Sequence, residues 1–137
     1  MSFAVDPRLV ADCHPIGDLA LSRVLLMDDA RFPWLILVPR IAGARELFDL
    51  DAADRASLLA ELDATGRALE TLLKPDKFNI AALGNVVPQL HVHVIARWTT
   101  DAAWPKPVWN HGERVRHEPH ALAERIESLR GALPLLA

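Results

Sequence analysis

The chain has 137 residues, 51% of them hydrophobic and 24% charged, with a formal net charge of −3. That length suits one domain with room for a proper core, and the acidic balance excludes the broad basic face with which proteins hold DNA or RNA. The lone cysteine, Cys13, excludes an intrachain disulfide framework and a cysteine-rich zinc site, and fits a reducing compartment.

Residues 1–18 carry Asp6, Arg8 and Asp12 and lack the apolar segment of a secretory signal. The longest apolar runs, such as residues 34–38, are too short to span a bilayer. The expectation is a soluble cytoplasmic protein with no membrane partner. Residues 12–17 read as a turn. Residues 19–27 alternate loosely and read as a strand, residues 28–33 as a loop, and residues 34–38 as a short apolar strand ended by Pro39. Together they suggest an antiparallel hairpin. Asp51 is a credible N-cap, with Asp54 in the first turn, where a carboxylate suits the helix dipole. Leu58, Leu59, Leu62, Leu69, Leu72 and Leu73 recur at helical spacing, and Pro75 marks the stop. Gly66 weakens the middle of that helix.

Residues 78–83 read as another strand and Gly84-Asn85 as a tight turn. Residues 90–97 form the next strand, and residues 98–118 an irregular segment rich in Pro, Trp and His. A final amphipathic helix covers residues 119–130, with Gly131 as its stop. Strands paired in hairpins with helices between them imply an α+β fold with an antiparallel sheet, one long helix and a C-terminal helix. The whole chain, 1–137, reads as a single domain, with a core over about residues 5–105.

The run Gln89-Leu90-His91-Val92-His93-Val94-Ile95 concentrates the chemistry. Polar and branched apolar residues alternate, as on a half-buried strand. Gln89, His91 and His93 would share one face, the two imidazoles about 7 Å apart. Three readings fit. The histidines can be ordinary strand residues. They can supply two ligands to zinc, which needs a third and usually a fourth from Asp101, His111, His117 or His120. Or one can be a nucleophile toward phosphorus, its tautomer fixed by a hydrogen bond to the other ring nitrogen.

The run resembles the signature of the histidine triad (HIT) family, His-φ-His-φ-His-φ-φ with φ apolar. Asn79-Ile80, Gly84-Asn85 and Val87-Pro88 are similar to the family's lead-in, and Ile95-Ala96-Arg97 to its exit. The early hairpin ending Leu37-Val38-Pro39-Arg40 and the long helix to Lys74 also resemble family features. The resemblance implies a HIT-like fold that binds nucleotides, in a family usually found as homodimers with sheets joined across the interface. It implies a nucleotide substrate and action at its α-phosphate. His91 would be the nucleophile that forms a nucleotidyl-histidine intermediate, and His93 a phosphate contact. Asn79 would lie near ribose and phosphate, and the Gly84-Asn85 turn would offer backbone N–H groups to phosphate. No metal ligand is assigned and no cofactor is required, though a divalent cation could accompany the substrate.

Two residues depart from the pattern. Gln89 stands where the leading histidine would be; its amide can orient a neighbour but cannot shuttle a proton. Val86 stands where many relatives have a hydroxyl near the leaving group; His111 or His117 could compensate. Strand parity places Arg97 with His91 and His93, where it would suit phosphate; Arg40 is similarly ambiguous. A tail tryptophan could cap the sheet, pack at a dimer interface or wall the pocket. The leading expectation is a nucleotide phosphohydrolase or phosphoramidase that acts on a dinucleoside polyphosphate, an adenylate conjugate or a nucleoside phosphoramidate. Beside it stand a nucleotide-binding protein with little turnover and a metal-binding module.

Overall fold

The computed structural model describes residues 2–137; Met1, counted in the expected domain, lies outside them. Five strands form one antiparallel sheet: β1 (Cys13–Asp18), β2 (Ser22–Met27), β3 (Trp34–Pro39), β4 (Lys77–Ala81) and β5 (Val92–Arg97). Their spatial order is β1-β2-β3-β5-β4. Around it lie α1 (Pro7–Asp12), α2 (Ala52–Leu73) and α3 (Pro119–Ala132). The α+β architecture, the long helix and the C-terminal helix follow the expectation. None of the described helices is long and apolar enough to cross a membrane.

Strand alternation divides the core in two. Leu25, Trp34, Ile36, Val38 and Ile95 face one side, where Leu9 of α1, Val87 and Val108 cover them. Val24, Leu26, Leu35, Leu37 and Val94 face the other, against Ala68 and Leu69 of α2 and Leu129 of α3. Residues directly opposite in a ladder share a face. His93 pairs with Ile36 and with Ala81, so its ring belongs to the first side.

The α2 boundaries follow from local chemistry. The Asp51 carboxylate accepts the Asp54 N–H at 2.7 Å, and Lys74 closes the helix in a left-handed conformation (φ 51°) before Pro75. Inside α2, nothing lies within 4 Å of a Cβ built on Gly66. Gly66→Ala is therefore expected to stabilise the fold by about 0.5–1 kcal/mol. The check is a raised urea midpoint at unchanged slope.

Four element boundaries expected from the sequence change here. The strand expected over residues 19–27 begins only at Ser22. Residues 13–17, expected in a turn, belong to β1. This edge strand tolerates Pro15 because an edge residue can turn its missing N–H away from the partner strand, and its register shifts between Pro15 and Gly17. Gly131 does not stop the last helix: α3 runs to Ala132, and buried Leu129 and Leu133 hold that final turn against the sheet. β4 ends at Ala81 rather than at residue 83.

Candidate active site

The expected strand of residues 90–97 starts two residues late. Leu90 donates its N–H to the Ala44 carbonyl at 2.9 Å instead of to a strand partner, and the ladder begins at Val92. Gln89 therefore lies off the pleat. Its Oε1 accepts the Asp6 N–H and its Nε2 donates to the Ala4 carbonyl, both at 2.8 Å. Both ends of the amide are thus used to tether the N-terminal segment, and the side chain orients neither histidine.

The Gln89 backbone orients His91 instead: His91 Nδ1 lies 2.7 Å from the Gln89 carbonyl oxygen. A carbonyl only accepts, so Nδ1 carries the proton and Nε2 keeps its lone pair. That is the tautomer a nucleophilic imidazole needs. His93 is set the opposite way. The Trp34 indole N–H, a donor only, points at His93 Nδ1 at 2.8 Å, which leaves the His93 proton on Nε2. The two rings lie 5.0 Å apart, and Trp109 packs edge-on to His93 at 5.0 Å.

Burial, reinforced by the neighbouring imidazole of His91, holds the His93 pKa down at about 3. An unfolded imidazole protonates near 6.5. Between these values the unfolded chain binds a proton that the folded chain does not. His93 therefore destabilises the fold increasingly as pH falls from about 6.5 toward about 3, and its neutral form carries no such penalty above that window. Long-range 1H–15N spectra at pH 5 are expected to show His93 as the neutral Nε2–H tautomer; a protonated ring there contradicts this arrangement.

Two cavities meet at His91. The larger, about 390 Å³, is walled by Leu9, Met27, Val87 and Trp109, with Gly84, Asn85, Val86, His91 and His93 around it and Arg8 and Asp12 at its polar side. The smaller, about 210 Å³, includes Arg45, Glu46, Leu47, Phe48 and Gln89, and shares Leu83, Gly84 and His91 with the first. Gly84 has φ +74°, the left-handed region open to glycine, which lets the chain turn beside His91. Arg8 reaches across this turn: its Nη1 donates to the Val86 carbonyl at 2.8 Å while Asp6 pairs with its far nitrogen at 2.9 Å. Val86 itself is 74% exposed and brings no hydroxyl.

The structure brings His91, His93, Gly84, Asn85 and Val86 to one cavity, and Gln89 to the other. It does not bring Arg97 or Asn79 to either. Arg97 has the predicted parity, but it is 1% exposed and fully engaged. Its guanidinium makes a two-pronged pair with Asp101 (2.8 and 3.1 Å), donates to Asn79 Oδ1 at 2.7 Å and to the Lys106 carbonyl at 2.8 Å, and lies between the rings of Phe32 and Trp104. Asp101 in turn accepts the N–H groups of Trp98, Ala103 and Trp104. The pair is a pin for the segment that follows β5, not a free phosphate contact. Arg40 is likewise spent, on the Ala20 carbonyl and Asp18. Neither His111, His117 nor His120 lines a cavity at His91.

Sequence reasoning missed two groups. Trp34 read only as an apolar strand residue, although a buried indole N–H needs an acceptor and the β3–β5 pairing would have offered His93. Arg8 and Leu9 belong to α1, a helix of six residues, too short to show periodicity.

The model of the HIT domain matches residues 8–100. The chain belongs to the histidine triad family. Three solved histidine triad proteins share its architecture closely. One from Bradyrhizobium japonicum is 48% identical over 97% of this chain and 99% of its own, with a TM-score of 0.95. One from Sinorhizobium meliloti is 42% identical over 96% and 97%, with a TM-score of 0.93. One from Marinobacter aquaeolei is 42% identical over the full length of both chains, with a TM-score of 0.95. No protein of curated function matches the chain significantly. In this histidine triad protein β5, the strand after the glycine turn, therefore has the family's fold around it, and His91 just before it and His93 within it are held in complementary tautomers.

Proposed function

We propose that this protein cleaves a nucleotide conjugate at its α-phosphate through a covalent intermediate on His91. The single observation that carries the reading is the pair of tautomers: a free lone pair on His91 Nε2 beside a proton on His93 Nε2. In the first step His91 Nε2 attacks phosphorus, the Nε2–P bond forms, and the bond from phosphorus to the leaving group breaks with its electron pair. The Gln89 carbonyl, already accepting from Nδ1–H, stabilises the positive charge that develops on the ring. His93 Nε2–H donates to a non-bridging phosphoryl oxygen, joined by backbone N–H groups of the Gly84-Asn85 turn. Water then attacks phosphorus and loses a proton to solvent, the Nε2–P bond breaks with its electron pair returning to Nε2, and a nucleoside monophosphate leaves.

The larger cavity falls within the usual range for small-molecule sites. Its apolar wall of Leu9, Met27 and Trp109 suits a nucleobase, since every base has a π-face to stack or pack. The smaller cavity, on the other side of His91, suits the leaving group. Arg8 is the one permanently cationic side chain on the larger cavity among the described residues, and it faces the phosphate turn. Gln89 occupies the place of the leading triad histidine, and its tether holds the segment that delivers Arg8. Protonation of the leaving group is then left to solvent, which favours conjugates whose leaving group departs without a strong acid. Dinucleoside polyphosphates, which release a nucleotide anion, meet that condition; a nucleoside phosphoramidate meets it where solvent protonates its amine as the P–N bond breaks, and two chains joined as a homodimer fit the family.

Release of nucleoside monophosphate from a panel of both substrate types tests the reading. Nucleotide binding without release on any of them would instead favour a binding protein of little turnover, the reading that Gln89 and Val86 support. Gln89→Ala is expected to raise KM more than it lowers kcat, because it frees the segment bearing Arg8 and leaves the His91 backbone hydrogen bond intact.

A further inference from the structure

Away from the active site, the sheet carries a second cluster of ligating groups. His14 of β1, Asp28 just after β2, and His117 just before α3 place one nitrogen or oxygen each within 4.8 Å of one another. Cys13 belongs to the apolar cluster on the His93 face. Parity therefore turns His14 to the opposite face, toward α3, and the cluster shares no residue with either cavity at His91. Asp28 Oδ1 lies 3.4 Å from His14 Nε2 and 3.0 Å from His117 Nδ1. In a tetrahedral site with metal–ligand bonds of about 2.0–2.2 Å, ligand atoms stand roughly 3.3–3.5 Å apart. His14 Nε2 is in addition a buried ring nitrogen with no hydrogen-bond partner. A buried polar atom without a partner is costly, and this one faces the carboxylate that would be its co-ligand.

We infer that His14, Asp28 and His117 form a divalent transition-metal site of the zinc class. Two imidazoles and one carboxylate match zinc, cobalt or nickel better than magnesium or calcium, which prefer all-oxygen shells. A solvent molecule completes the fourth position. The outer oxygen Oδ2 accepts from Arg116 Nη1 at 2.9 Å, and the His117 N–H donates to Oδ1 at 3.0 Å. These contacts fix the carboxylate, as partners behind a ligating group do in metal sites. The Arg116 side chain is 66% exposed, so solvent weakens its repulsion of an ion held on the other carboxylate oxygen. The three ligands come from residues 14, 28 and 117, so the ion would clip the segment that leads into α3 onto the sheet.

The test uses full-length protein stripped with chelator, dialysed, and titrated with zinc and with cobalt at pH 7.5. Wild type is expected to bind one equivalent, to melt several degrees higher with zinc than without, and to give cobalt visible bands of tetrahedral intensity. His14→Gln and His117→Gln are each expected to lose the equivalent and the thermal gain, while His91→Ala keeps both. Should either glutamine variant fail to fold, Asp28→Asn and the wild-type cobalt spectrum decide. The proposal is overturned if wild type takes up no zinc below about 100 μM, if uptake survives in the glutamine variants, or if it is lost in His91→Ala.

Discussion

His91→Ala is expected to lower kcat/KM on any nucleotide conjugate the protein turns over by on the order of 10⁴-fold or more, the scale set by removal of a covalent nucleophile. The fold should be nearly untouched. His91 precedes the β5 ladder, and its one ring hydrogen bond is to the Gln89 carbonyl two residues away. Nucleotide binding should survive, because the turn at Gly84, the Trp109 wall and Arg8 remain. A thermal melt beside the assay separates the two effects: activity gone with the midpoint within a few degrees supports the assignment. A variant that keeps activity within tenfold would show that His91 is not the attacking group.

The second large effect concerns stability. Arg97→Ala is expected to cost about 3–5 kcal/mol, the loss seen when one partner of a buried ion pair is removed and the other is left uncompensated. For a chain of this length that is a fall of roughly 10–20 °C in Tm. The side chains of Arg97 and Asp101 are 1% and 6% exposed. Burial alone would push the Asp101 pKa up; its bonds to Arg97 and to the N–H groups of Trp98, Ala103 and Trp104 outweigh that and bring it down to about 2. Arg97→Lys restores charge but not the planar two-pronged geometry, so it should recover only part of the loss. If Arg97 served phosphate instead, Arg97→Lys would melt like wild type and lose substrate affinity, which is the opposite pattern.

Long-period signals were legible in the sequence. The leucine spacing and Asp51 gave α2 nearly to the residue, and the alternation over residues 90–97 gave β5 and the side that His93 faces. The histidine pair and the glycine turn also converge as the pattern implied. What failed did so where local pattern yields to distant partners. Gln89 continues the alternation in sequence, yet the chain leaves the pleat there because Leu90 bonds to Ala44 and the Gln89 amide finds Ala4 and Asp6, more than 80 residues away. Arg97 keeps its strand parity, but only the folded turn after β5 brings Asp101 and the Lys106 carbonyl onto it. β1 carries Pro15 and Gly17, which erase a strand signal that edge geometry tolerates. The cluster of His14, Asp28 and His117 could not be read at all, because its members are scattered across three segments and none has ligand-like spacing.

The most direct measurement is rapid-quench mass spectrometry of the protein mixed with a nucleoside phosphoramidate, followed by digestion under mildly alkaline conditions that preserve phosphoramidate bonds. The expected result is a transient adduct of one nucleoside monophosphate less water on the peptide that contains His91, assigned by fragmentation to His91 and absent from His91→Ala. Steady release of nucleoside monophosphate with no adduct at any time point, or an adduct on His93 instead, would contradict the assignment of His91 as nucleophile.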